Sequence, residues 1–256
     1  MTFERRTVDD LTIEDERSFR HVALYTDLKE VLRRAKYPFR VLPKSLEGRA
    51  DRALLLNLTF WGADAGGDVL ESDVLPADVV AHAAWHHLAA KALPATSADA
   101  LFLGEAIASA FDVYLVGRLL GHAPKSTFLE TQVPAMAEAT ESAGLDEDGF
   151  ESMLESIASD PERAFADLRE LLFDATSALF ACRSVEDATV ALAAFDAHRF
   201  GSLLHRYELS NWVLYARAYG DAKPDELARA LDSKLRGEKT PLEWLTAEWI
   251  APALRE

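Results

Sequence analysis

The stretch SADALFLGEAIASAFDVYLVGRLLG, residues 97–121, decides how this chain is read. Ser97 is a favoured helix N-cap, and Gly121 is a favoured residue just past a helix end. Between them the apolar run Leu101 to Ala108 is helical in character, so one helix is expected over about 98–120. Working backward, Pro76 suits the first turn of a helix and Pro94 ends one, which predicts a helix over 76–93. The short turn from Pro94 to Ser97 makes the two helices antiparallel neighbours.

Further helices are expected on both sides of this pair. Thr26 and Asp27 cap a short one from Leu28 to about Lys36, which stops before Pro38. Downstream, helices are read over about 128–143 with an interruption at Pro134, over about 150–158, and from Asp160-Pro161 to Ala181. Ser184 and Asp187 start another that runs past His198 and His205 toward Tyr219, broken near Gly201 or Ser210. Residues 223–235 and 241–254 complete the set. The apolar run Ala53 to Trp61 lies between loop signals at Gly48 and at Gly62, Gly66 and Gly67, so a buried strand is expected over about 53–61. Residues 1–20 are polar and read as an arm or an edge element. The expected fold is mostly α with one small β element. It is a single domain over 1–256, or two closely packed helical lobes meeting near 144–148.

Composition narrows the class of protein. Of 256 residues, 49% are hydrophobic and 27% charged, enough apolar material for a sizeable core. Asp and Glu number 43 against 27 Lys and Arg, a net charge of −16, which opposes binding to nucleic acid and to anionic membranes. The single cysteine, Cys182, excludes an internal disulfide and a thiolate-rich zinc knuckle, and its apolar setting suggests a packed thiol. The N-terminus lacks an apolar signal region, and no stretch is read as reaching the roughly 20 apolar residues of a bilayer span. A cytoplasmic protein is the expectation.

The chemistry is concentrated in Val79-Val80-Ala81-His82-Ala83-Ala84-Trp85-His86-His87-Leu88. On a helix, residues four apart lie about 40° apart around the axis and about 6 Å along it. His82 and His86 therefore present two imidazoles to one ion, whereas His87 is turned about 100° from His86. Glu105 follows His86 after 18 intervening residues and, across the hairpin, comes to a similar height. Glu105 stands among apolar residues, and a buried carboxylate needs a partner. Two His and one Glu suit Zn²⁺ with a position left open, and would accept Fe²⁺ or Mn²⁺.

This arrangement resembles the gluzincin metallopeptidases, especially their aminopeptidase branch, which carry HExxH on one helix and a Glu ligand on the next at this spacing. Leu103-Gly104-Glu105-Ala106-Ile107-Ala108 is similar to the segment around that third ligand. The resemblance covers about residues 54–117. It implies zinc held by His82, His86 and Glu105, and a small-molecule or peptide substrate hydrolysed with the help of the ion. The chain departs from the family at Ala83, where those enzymes have the Glu that activates the metal-bound water. Either another residue supplies the base, the chemistry differs, or the scaffold persists without activity. Asp112, seven residues from Glu105 and on about the same helix face, is a replacement candidate, and Tyr114 is less well placed.

His198 and His205, seven apart, fall on one face of the expected downstream helix, about 10.5 Å apart along the axis. With Asp112 they are the acid, base or oxyanion-stabilising candidates, and either His could be a fourth ligand. The alternatives are a di-metal helical-bundle oxidoreductase drawing on Glu208 as well, and a non-catalytic helical interaction protein that keeps the scaffold. Trp212, Tyr215, Trp244 and Trp249 read as core or interface aromatics. The C-terminal run Leu242 to Ile250 is apolar enough that it must dock on the body of the protein or join a second copy in a homo-oligomer.

Overall fold

A computed structural model describes residues 3–46, 48–53, 57, 69–93, 97–123, 125–221 and 223–255. The described chain is mostly helical with a few short strands. It forms two compact units, Met1–Leu88 with Thr246–Glu256, and Ala89–Leu245. Residues 144–148 lie inside the second unit, as the link between two helices and the start of the second.

In the first unit, the N-terminal residues form edge strands. Strand β1 (Glu4–Arg6) pairs antiparallel with β3 (Phe39–Val41), which pairs parallel with β4 (Val69–Leu70). Strand β2 (Thr12–Glu14) pairs parallel with β5 (Val74–Pro76). Most of the strand expected over 53–61 lies outside the described residues, and the two described there, Ala53 and Asn57, are helical. Asn57 imitates a strand: its side-chain amide donates to Val69 O at 3.0 Å and its Oδ1 accepts from Val69 N at 2.7 Å.

Helix α1 (Glu16–Phe19) leads into α2 (Ala23–Arg34), which starts five residues before the Thr26-Asp27 cap predicts. Val22, fully buried, leads the chain in, and Tyr25, Leu28, Val31 and Leu32 form the buried stripe, so packing sets this boundary. The helix ends in a Schellman turn with Lys36 at φ 47°, where Tyr37 N donates to Leu32 O at 3.0 Å. The C-terminal turn Thr246–Ile250 packs on α2, with Trp249 and Ile250 buried. The C-terminal apolar segment thus docks within its own chain.

Helix α3 (Ala77–Ala92) begins in the first unit, and its last turn belongs to the second. Pro76 is in strand β5 rather than in the helix, and Pro94 lies outside the described residues. The centre of the second unit is α4 (Ala98–Leu119), capped by Ser97 and followed by Gly121 at φ 77°. Its 22 residues are long and apolar enough to cross a bilayer, which corrects the reading that no stretch is, but 89% of its apolar window is buried in the fold. A helix apolar on all sides is here a core helix.

Around α4 stand α5 (Thr127–Ser142), continuous through Pro134, then α6 (Glu147–Ser159) and α7 (Pro161–Ala181). Helix α7 is the main partner of α4, and α6 comes so close that a Cβ on Gly117 would sit 2.5 Å from Ile157 O. The downstream segment, expected to break near Gly201 or Ser210, is three elements: α8 (Val185–Ala193), a 3₁₀ turn (Gly201–Arg206) and α9 (Leu209–Tyr219). Burial of Phe200 and Leu203 and the tight approach of Gly201 to the Phe195 carbonyl mark the break at Gly201. Helices α10 (Glu226–Gly237) and α11 (Pro241–Leu245) close the unit. Trp212 and Tyr215 are core residues, as expected. Cys182 is half-buried, its thiol on Ala178 O at 3.2 Å.

Two polar networks tie α10 to this core. Ser97 Oγ accepts from Ala100 N at 3.0 Å and donates to Asp225 Oδ2 at 2.7 Å. Asp225 caps α10 through Leu227 N, while Asp99 takes Asp225 N at 2.9 Å and Arg229 Nε at 2.7 Å. Each helix start is therefore capped with help from the other. Deeper in, Arg169 is fully buried and its Nη1 meets Asp232 at 2.5 Å, while Arg236 joins Asp232 at 2.7 Å and Asp174 at 2.6 Å. Burial disfavours the Arg169 charge and Asp232 compensates it.

Two outcomes are expected. Asp232→Ala strands the buried Arg169 guanidinium and costs about 3–5 kcal/mol in denaturant unfolding, whereas replacing both residues with apolar ones recovers most of it. Ser97→Ala and Asp225→Ala each cost about 1 kcal/mol, and a double-mutant cycle reads their losses as non-additive because they share one hydrogen bond.

Candidate metal centre

The candidate centre draws two residues from α3 and one from α4. Four-residue spacing sets His82 and His86 one above the other on α3, with Nε2 atoms 3.1 Å apart and ring centroids 4.8 Å apart. Both rings are half-buried, whereas the next faces of the helix, with Ala83, Ala84 and Trp85, are packed into the core. Glu105, at 7% exposure, projects from α4 between the buried residues Gly104 and Ala106. One ligand atom from each of His82, His86 and Glu105 lies within 4.8 Å of the others.

These distances bear on what the group can hold. Bonds of 2.0–2.1 Å at tetrahedral angles put ligand atoms about 3.3 Å apart. The imidazole pair, with Nε2 atoms 3.1 Å apart, is near that separation. Beside Glu105, Gly104 packs near α3's last turn: Ala89 Cβ is 3.4 Å from where a Cβ on Gly104 would be.

The other sequence candidates are placed elsewhere. Among the described residues, no further His, Cys, Asp or Glu joins the three. His87, turned off the site as its position on the helix requires, meets the Tyr37 ring edge-on at 5.5 Å. Asp112 is half-buried two turns along α4; its carboxylate, with burial as the larger cause, pushes the Tyr207 phenol up. His198 lies in the turn after α8 and His205, exposed, on the 3₁₀ element. They therefore do not share the helix face that their spacing suggested. Ala83 is 2% exposed and brings no titratable group to the site.

No family model, curated protein or solved structure matches this chain.

The close approach at Gly104 is open to test. Gly104→Ala adds a methyl at ordinary contact distance and gains helix propensity, so unfolding free energy should stay within about 1 kcal/mol of wild type. Gly104→Val places a branched side chain against Ala89 and should destabilise by about 1–3 kcal/mol in the same measurement.

Proposed function

We propose that the chain is a metal-binding protein whose His82, His86 and Glu105 hold one divalent ion. The observation that carries this reading is the convergence of three ligand atoms of the right chemistry within 4.8 Å. Two imidazoles and a carboxylate are borderline and hard donors, a set that favours Zn²⁺ and admits Fe²⁺ or Mn²⁺. Glu105 supports it further, because a carboxylate at 7% exposure in a core helix is favoured where a cation offsets its charge.

Three protein ligands leave a coordination position for a small molecule or a peptide carbonyl, where a bound ion would supply Lewis acidity. Metal-assisted hydrolysis is the reaction class that this set fits, on the resemblance to the gluzincins. The chain's own part would be to hold the ion and offset its charge through Glu105. With Ala83 in place of the usual Glu, proton removal from a bound water falls to a group outside the cluster or to solvent, and hydrolysis should be slow.

Titration calorimetry of the metal-stripped, untagged protein with Zn²⁺ tests the proposal. One equivalent should bind. His86→Ala and Glu105→Gln should each weaken binding by more than about 100-fold, beyond the loss that follows from altering residues behind the ligands. Absence of uptake by the wild type, or equal uptake by both variants, would overturn the assignment.

A further inference from the structure

The turn between α8 and α9 contains a histidine whose hydrogen bond dictates its protonation. The backbone N–H of Phe200 donates to His198 Nδ1 at 3.1 Å. An amide N–H has only a proton to offer, so Nδ1 carries the lone pair and the neutral ring holds its proton on Nε2. The bond is set in a tightly built segment. His198 N donates to Phe195 O at 2.9 Å and Gly201 N donates to His198 O at 2.8 Å. A Cβ on Gly201 would sit 2.4 Å from Phe195 O, so the chain cannot easily take another side chain there. Phe200, fully buried, anchors the segment, and the Arg199 guanidinium lies 4.4 Å over its ring.

The charged groups facing His198 are Asp167, Glu170 and Asp174 from α7 and Arg199 from the turn. Asp167 is engaged on both oxygens, by Arg163 and by Arg199, each at 2.8 Å. The carboxylates favour an imidazolium, whereas burial, the largest effect, and Arg199 oppose it, and the balance lies below the ordinary value.

We propose that His198 makes this turn an acid-sensitive latch, in which protonation of Nδ1 removes the acceptor of the Phe200 amide and loosens residues 195–206. Neutral His198 is favoured by the fold and the unfolded ring titrates near 6.5. The stabilisation is therefore fully present above that value and is lost as pH falls through it toward the lower folded value.

Amide hydrogen exchange on the full chain at about pH 7.5 and about pH 4.5, well below the ordinary imidazole range, expressed as protection factors to remove the intrinsic pH dependence, reads the latch directly. Phe200 should lose about five-fold in protection at the lower pH, the factor that one hydrogen bond represents. His198→Asn keeps an acceptor, because its Oδ1 takes the N–H two residues on as an Asx turn, and cannot gain a proton. Its Phe200 protection should be the same at both values. His198→Ala should be poorly protected at both. Equal protection of wild-type Phe200 at the two pH values, or the same loss in His198→Asn, would overturn the proposal.

Discussion

The fold of the second unit depends on the burial of one helix on all its sides. Helix α4 exposes almost nothing to solvent, so its neighbours must cover every face, and small residues set how near they come. Gly117 admits the backbone of α6, and Gly104 faces Ala89 at the end of α3. Large residues such as Phe102, Leu103, Phe111 and Leu115 fill the space between these contacts. A core helix of this kind supplies much of the apolar burial of its unit.

Such a helix makes every polar group on it expensive, and the chain answers each differently. Asp99 is buried at the helix start, where the backbone amides favour an anion, and Arg229 with the Asp225 amide completes its partners. Glu105 sits in the apolar middle, with the two imidazoles of α3 within reach. Arg169, buried on the facing helix α7, is compensated by Asp232. Asp99 and Arg169 belong to hydrogen-bonded networks, and Glu105 belongs to the cluster of candidate ligands.

Much of the helical architecture was legible because its signals are local. Ser97, Asp160 and Ser184 cap their helices through hydrogen bonds three residues on, and Gly121 and Gly144 follow helix ends with positive φ. The His82–His86 pair was legible for the same reason, since a helix fixes the relation of residues four apart. Other readings failed where distant packing outweighs local preference. Val22 and Tyr25 draw α2 into an earlier start, and the break expected near Gly201 or Ser210 separates His198 from the 3₁₀ element that carries His205, so the two share no helix face. The end of α2 was legible from Pro38, although the turn that makes it, with Lys36 at positive φ, carries no glycine.

The sequence by itself determined the helical class, most helix starts and stops, and the placing of two imidazoles on one helix face. Each depends on residues within a turn or two of one another. Only the tertiary structure decided that Glu105 reaches those imidazoles while Asp112, His198 and His205 stand outside the cluster. Such outcomes rest on packing between segments far apart in the chain, as the burial of Phe200 shows in the turn that carries His198.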